Sequence, residues 1–403
     1  MKNCVIGQSG GPTSVINASV MGLLEKNNEL QVFEKVLGGL NGIEGILQEE
    51  FINLSQLTKE EIETVKHTPS AGLGSCRYKL KDHEEDPADY NRLFDIFEKH
   101  NIGAFFYAGG NDSQDTVRKL STYAKEHNKD VVFIGIPKTV DNDLDVIDHA
   151  PGFASAARYI TVSVMESYLD SVVYKNNGIF ITETMGRDAG WLAGASSLAE
   201  YNNRPCADII LLPEVPFDEE KFLQRVKEIY EEKNQVYIVT SEGVRLSDGS
   251  FLAATKAHAH DTFGHAQLGG AANALKNIIE DSGLTKRIKV LELSTLQRSA
   301  AHLASPIDID EAYTLGANAL VMAKNGETGR VSILKRIAND PYEVMYTSTA
   351  AENIANHVKF MDKSMITEDG FGITQEGKDY FKPLVGKLPE YRILHHFHDL
   401  NSK

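Results

Sequence analysis

Short apolar runs closed by polar turns recur along most of the chain. Val5-Ile6, Ala104-Phe105-Phe106-Tyr107, Phe133-Ile134-Gly135-Ile136, Gly178 to Thr182, Asp208 to Leu212, Val236 to Val239 and Lys289 to Leu293 are too short for helices. Most are rich in β-branched or aromatic residues, which predicts buried strands. Stretches of helical spacing separate them. Val15, Ile16, Val20, Leu23 and Leu24 follow the first run; Val117, Leu120 and Tyr123 follow the second. Phe153 to Tyr174 carries Ala154, Ala157, Ile160, Val164 and Tyr168 on one face, and Asp218 precedes a stripe of Phe222, Val226, Ile229 and Tyr230 as its expected cap. A further helix is expected around Ala312 to Lys324, with mixed structure beyond it. Alternation of this kind predicts an α/β protein whose mostly parallel sheets are covered by helices on both faces.

The polar turns fall where these strands end, which is where open α/β sheets bind ligands. Ser9-Gly10-Gly11 and Gly109-Gly110-Asn111-Asp112-Ser113 each join a strand to a helix. Such a glycine turn with a helix N-terminus behind it makes an anion cradle, although a tight structural turn explains either one alone. Asn17 is expected to face the first cradle and Ser113 to cap the second helix. Pro137 stops the third strand, and Lys138-Thr139-Val140-Asp141-Asn142-Asp143 follows. In an extended segment Asp141 and Asp143 point to one side, one able to take a proton and the other to hold a metal ion or a neighbouring side chain. Arg77, after Gly72-Leu73-Gly74, suits a phosphate clamp. Met185-Gly186-Arg187, Glu242 and Gln297-Arg298 close later strands, while the single tryptophan, Trp191, reads as core.

Length favours two or three tightly joined domains. A net charge of −16 argues against nucleic acid or an anionic membrane as the main partner, without excluding a local basic pocket. Cys4, Cys76 and Cys206 form no disulfide or zinc pattern, and His258, His260 and His265 have no zinc spacing; a reduced, cytoplasmic setting follows. No apolar run reaches membrane-spanning length.

Taken in order, Ser9-Gly10-Gly11, Gly109 to Ser113, Pro137 to Asp143, Met185-Gly186-Arg187, Ser241-Glu242-Gly243 and Gln297-Arg298 resemble the 6-phosphofructokinase family over about three quarters of the chain, the Thr-x-Asp-Asn-Asp and Met-Gly-Arg segments being the specific ones. The resemblance implies two Rossmann-like three-layer domains with the active site in the cleft between them. One would be residues 1–145 plus about 255–300, on the phosphoryl-donor side. The other would be 146–254 plus about 301–403, on the sugar-phosphate side. It also implies phosphoryl transfer with Mg2+ to the 1-hydroxyl of fructose 6-phosphate, in a homodimer or homotetramer. Asp141 then matches the catalytic base. Thr139, Val140, Met185, Gly186, Arg187, Glu242, Thr295 and Arg298 match sugar-phosphate contacts, Gly10, Gly11 and Arg77 the diphosphate side, and Asn111 and Asp143 the metal site.

Donor choice turns on Asp112 and Lys138, where ATP-using relatives typically carry glycine. A carboxylate at 112 would repel the α-phosphate of ATP, and a cation at 138 would neutralise charge on the transferring and leaving phosphates. Pyrophosphate is therefore the expected donor, with Asp112, Lys138, Asp141 and Arg187 as the catalytic set. Departures are Asn111 for a usual aspartate, Thr295 for His or Tyr, and Gly178 for a cross-subunit arginine, whose charge Lys289 or Arg287 would supply. The alternatives are an ATP-dependent 6-phosphofructokinase and a catalytically silent sugar-phosphate sensor. A nicotinamide-dependent dehydrogenase lacks the required glycine spacing.

Overall fold

The computed structural model describes residues 1–174, 177–253 and 270–394. In chain order the strands are β1 (Asn3–Gln8), β2 (Val36–Gly39), β3 (Phe51–Asn53), β4 (Ile102–Gly109), β5 (Val132–Pro137), β6 (Gly178–Thr184), β7 (Glu200–Tyr201), β8 (Arg204–Pro205), β9 (Ile209–Leu211), β10 (Gln235–Ser241), β11 (Ile288–Glu292), β12 (Arg330–Asn339) and β13 (Tyr342–Ala350). One sheet runs β13-β12-β5-β4-β1-β2-β3, and a second runs β11-β6-β10-β9. The central pairings of both are parallel.

Each sheet is the middle of three layers. In the first, Ile16–Leu30 and Pro306–Lys324 cover one face, and Ala88–Lys99 and Asn111–Glu126 the other. In the second, Phe153–Ser171 and Gln375–Val385 cover one face, and Glu219–Lys233 and Ala271–Asp281 the other. A strand buried on both sides favours an apolar run, as β4 shows along its whole length; β6 is apolar through Ile181 and then buries Thr182, Glu183 and Thr184. Pro306–Lys324 can lie flush against Ile16–Leu30 because Gly22 and Gly316 carry no Cβ. One built at either would sit 1.9 Å from a backbone oxygen of the other helix.

The domain boundaries expected from the sequence are corrected by the sheets. Strand β11 pairs with β6, so it belongs to the second body rather than to the donor side. The β12–β13 hairpin joins the first sheet through β5, and Pro306–Lys324 covers a face of that sheet, so 306–350 leaves the sugar-phosphate side. The reason is local: β11 buries its apolar residues against Ala271–Asp281, directly before it, whereas the half-polar hairpin suits a sheet edge. Asp218 does cap Glu219–Lys233, accepting from Lys221 N at 3.1 Å. Ser113 caps nothing, because Gly110 is the N-cap and Ser113 lies inside the helix. Trp191 is buried, donating from Nε1 to the Lys359 carbonyl at 3.0 Å. His258, His260 and His265 lie outside the described residues, and the three cysteines are buried and free.

Candidate active site

Strand ends from both sheets meet at a cleft of about 470 Å³. Gly10, Gly11, Arg77, Asn111, Asp112, Lys138, Thr139, Val140, Asp141, Asp143, Met185, Arg187, Glu242 and Arg298 all line it. Gly186 lies between two of these. Thr295 is not among the residues that line the cleft; it is exposed, at the N-cap of the short helix Leu296–Ser299. Lys79, Asp188, Asn356 and Val358 line it too. The first two neighbour Arg77 and Arg187 in sequence, but nothing local marks the last two.

Glycine turns let the two bodies approach. A Cβ on Gly11 would sit 3.0 Å from Arg298 Nη1, so the missing side chain makes room for the guanidinium arriving from the second body. The Arg77 loop is stapled over the same turn: Gly10 N donates to the Cys76 carbonyl at 3.0 Å, and Ser75 Oγ to the Gly10 carbonyl at 2.6 Å. Asn17 is not in the cavity. It is buried, accepting from Gly72 N at 2.7 Å and donating to Thr68 O at 2.9 Å, and so holds that loop from beneath.

The Thr139–Asp143 segment is a folded loop, not the extended run expected. Thr139 Oγ1 accepts from Asp141 N at 3.1 Å, and Asn142 adopts the left-handed region at φ 56°, which Asn tolerates. The Asn142 side chain is the peg: it donates to Tyr380 Oη at 2.9 Å and accepts from Ala150 N at 3.0 Å. The carboxylates on either side still reach the cleft. Opposite them, Met185 N donates to Gln297 Oε1 at 3.0 Å, tying the Met-Gly-Arg turn to the segment that carries Arg298. Gly186 sits at φ 127°, where a side chain would also strike the Ala189 carbonyl.

The charges are unlike, with Lys138 buried and Asp141, Asp143, Glu242, Arg187 and Arg298 half-buried. Burial, then Asp143 and Glu242, push Asp141 well above the carboxylate range, against the pull of Arg187. Burial raises Asp143 as well. Glu242 is pushed up to about 7 by burial and by Glu183. Lys138 is 3% exposed and donates to the Gly11 carbonyl at 2.5 Å; burial and the nearby Arg298 bring it down to about 7. A carboxylate poised near neutrality accepts protons, and a buried cation steadies anionic oxygens.

For a metal, Asp143 fits and Asn111 does not. Asp143 Oδ1 is buried with no hydrogen-bond partner among the described residues. The Asn111 amide is committed elsewhere, accepting from Asn356 N at 2.6 Å and donating to the Ile354 and His357 carbonyls at 3.3 and 2.5 Å. No cluster of three or more His, Cys, Asp or Glu suited to a metal occurs among the described residues.

Paired carboxylates, a buried lysine flanked by arginines, and glycine cradles between two three-layer α/β bodies define a phosphotransferase. Within that class the chain belongs to the phosphofructokinase family, whose model matches residues 3–323. It is 41% identical over 388 residues to the pyrophosphate–fructose 6-phosphate 1-phosphotransferase of Halomonas elongata, covering 95% of this chain and 91% of that one. Identity to the Methylococcus capsulatus protein of the same name is 40% over 405 residues, covering 98% and 96%. The crystal structure of pyrophosphate-dependent phosphofructokinase from Nitrosospira multiformis superposes with a TM-score of 0.85 at 36% identity, covering 97% of this chain and 94% of that one.

Proposed function

We propose that this enzyme transfers a phosphoryl group from pyrophosphate to the 1-hydroxyl of fructose 6-phosphate, releasing orthophosphate and fructose 1,6-bisphosphate. The observation that carries the donor assignment is the presence of Asp112 and Lys138 in one cleft with Asp141. Asp141 takes the proton of the sugar hydroxyl as its oxygen attacks the near phosphorus of pyrophosphate. The bridging P–O bond then breaks, and the electron pair leaves with orthophosphate. Lys138, Arg77 and the Gly10-Gly11 turn hold the donor, and Arg187 faces the transferring group. Glu242, Thr139, Val140 and Met185 hold the sugar, and Arg298 its 6-phosphate.

Mg2+ would be held by Asp143, with Asp141 beside it, and would neutralise phosphate oxygens when bound. The body around the first sheet serves the donor, and the body around the second serves the sugar phosphate. We also propose a homodimer or homotetramer in the cytoplasm. Leu296, 62% exposed two residues before Arg298, is an apolar side chain that a partner subunit would cover. On the edge strand β11 Lys289 is exposed, held to Asp170 at 3.4 Å, while Arg287 lies over the Tyr174 ring at 5.3 Å. Both side chains are exposed, so either is placed to reach across a subunit boundary. Among the described residues no helix is long and apolar enough to cross a membrane.

The test is the reverse reaction. Fructose 1,6-bisphosphate with orthophosphate is expected to yield fructose 6-phosphate and pyrophosphate. Reversal that requires ADP instead would favour the ATP-dependent alternative.

A further inference from the structure

The segment that carries the chain from the first body to the second, Ile354 to Met361, runs across the donor end of the cleft. Ile354 is anchored in the core of the first body, and Met361 in that of the second. Between them Val358 pairs with Leu144, and Lys359 N donates to the Asp143 carbonyl at 2.9 Å. Asn356 and Val358 form part of the cleft wall. Asn356 stands in the left-handed region at φ 64°, its amide reaching Asp115 Oδ1 at 3.2 Å.

At its first-body end the crossover is held by Asn111, beside the bonds to Asp115 and Asp143. One primary amide accepts from Asn356 N and donates to two carbonyls, Ile354 and His357. A carboxylate cannot do this: it could keep the bond from Asn356 N, but it has no hydrogen to offer two carbonyl oxygens. The neutral residue beside Asp112 is thus explained by the crossover and not by a metal.

We infer that Asn111 is a positioning residue for donor size, clamping the Ile354–Met361 crossover over the donor end so that a donor longer than pyrophosphate meets Asn356 and Val358. The inference rests on the pyrophosphate reading and extends it. Asp112 and Lys138 set the charge at the donor end, and the clamped crossover sets its length. Replacing those two alone then relieves repulsion without making room for a nucleoside.

The test compares ATP-dependent phosphorylation of fructose 6-phosphate in the Asp112→Gly/Lys138→Gly double variant with the same protein carrying Asn111→Ala in addition. Alanine removes the clamp, suits a helix start and adds no metal ligand. At least a tenfold gain in kcat/KM for ATP is expected, together with faster hydrogen exchange at the Asn356 amide. Asn356→Gly in the same double variant provides a second route. It thins the wall and is compatible with the positive φ, so it is expected to act in the same direction if Asn111→Ala fails to fold. ATP kcat/KM unchanged by the added substitution in a folded protein overturns the inference. Wild-type pyrophosphate turnover is measured alongside, and its absence would count against the donor assignment instead.

Discussion

Replacing Lys138 by methionine keeps the length of the side chain and removes its charge. The structure sets the size of the effect. Lys138 Nζ is buried, reaches the Gly11 carbonyl at 2.5 Å and lies where Arg298 and Arg77 repel it and Asp141 and Asp143 attract it. A single pre-aimed donor of this kind, when lost, lowers turnover by about 10²–10³, or about 3–4 kcal/mol. That is the expected fall in kcat/KM for pyrophosphate. The pH dependence separates the lysine from a merely structural effect. With its pKa brought down to about 7, the amine is charged below that pH and loses its proton above it. Wild-type kcat/KM for pyrophosphate should therefore carry an alkaline limb that the variant lacks. Ionisation of pyrophosphate is common to both proteins, so their difference isolates Lys138. Methionine takes a cation from Asp141 and Asp143 and a donor from the Gly11 carbonyl, so thermal stability should fall rather than rise. A folded variant within threefold of wild type, or one with the same alkaline limb, refutes the reasoning.

Two other substitutions probe different links. Asp141→Asn should lower kcat by about 10²–10⁴ with fructose 6-phosphate still bound, as measured by steady-state kinetics beside a binding titration; unaltered kcat would contradict its role as the base, whereas wild-type protein that binds the sugar phosphate without turnover would favour the silent sensor. His149 tests stability rather than catalysis. Burial disfavours its charge, but Glu311 at 2.5 Å and Asp148 at 2.8 Å overcome this and raise its pKa to about 9, against 6.5 unfolded. Because the folded value is the higher one, its contribution is fully present below pH 6.5 and is lost as pH rises through about 9. Thermal melts should show wild type ahead of His149→Gln by on the order of 3 kcal/mol at the acidic end, with the gap closing at the alkaline end.

Most of the cleft was legible because its residues sit within a few positions of a strand end, where an apolar run gives way to glycine and charge. Lys138, Asp141 and Arg187 are all of this kind. What was not legible depends on contacts far apart in sequence. Asn111 reads as a metal ligand until Asn356, 245 positions later, is seen to occupy its oxygen. Asn142 looks like a turn residue until Tyr380 is seen to take its amide. The β12–β13 hairpin escaped because its alternation is diluted by polar residues on a half-exposed edge, as in Arg330–Asn339. Thr295 misled because its position beside Gln297 and Arg298 in sequence says nothing of which way a new helix turns it.

Donor choice separates this enzyme from an ATP-dependent 6-phosphofructokinase. Purified wild-type protein with saturating fructose 6-phosphate and Mg2+ should give a kcat/KM for pyrophosphate more than about a thousandfold that for ATP, since a misplaced buried charge and a blocked nucleoside each weigh several kcal/mol. Equal values, or a preference for ATP, would contradict pyrophosphate as the donor.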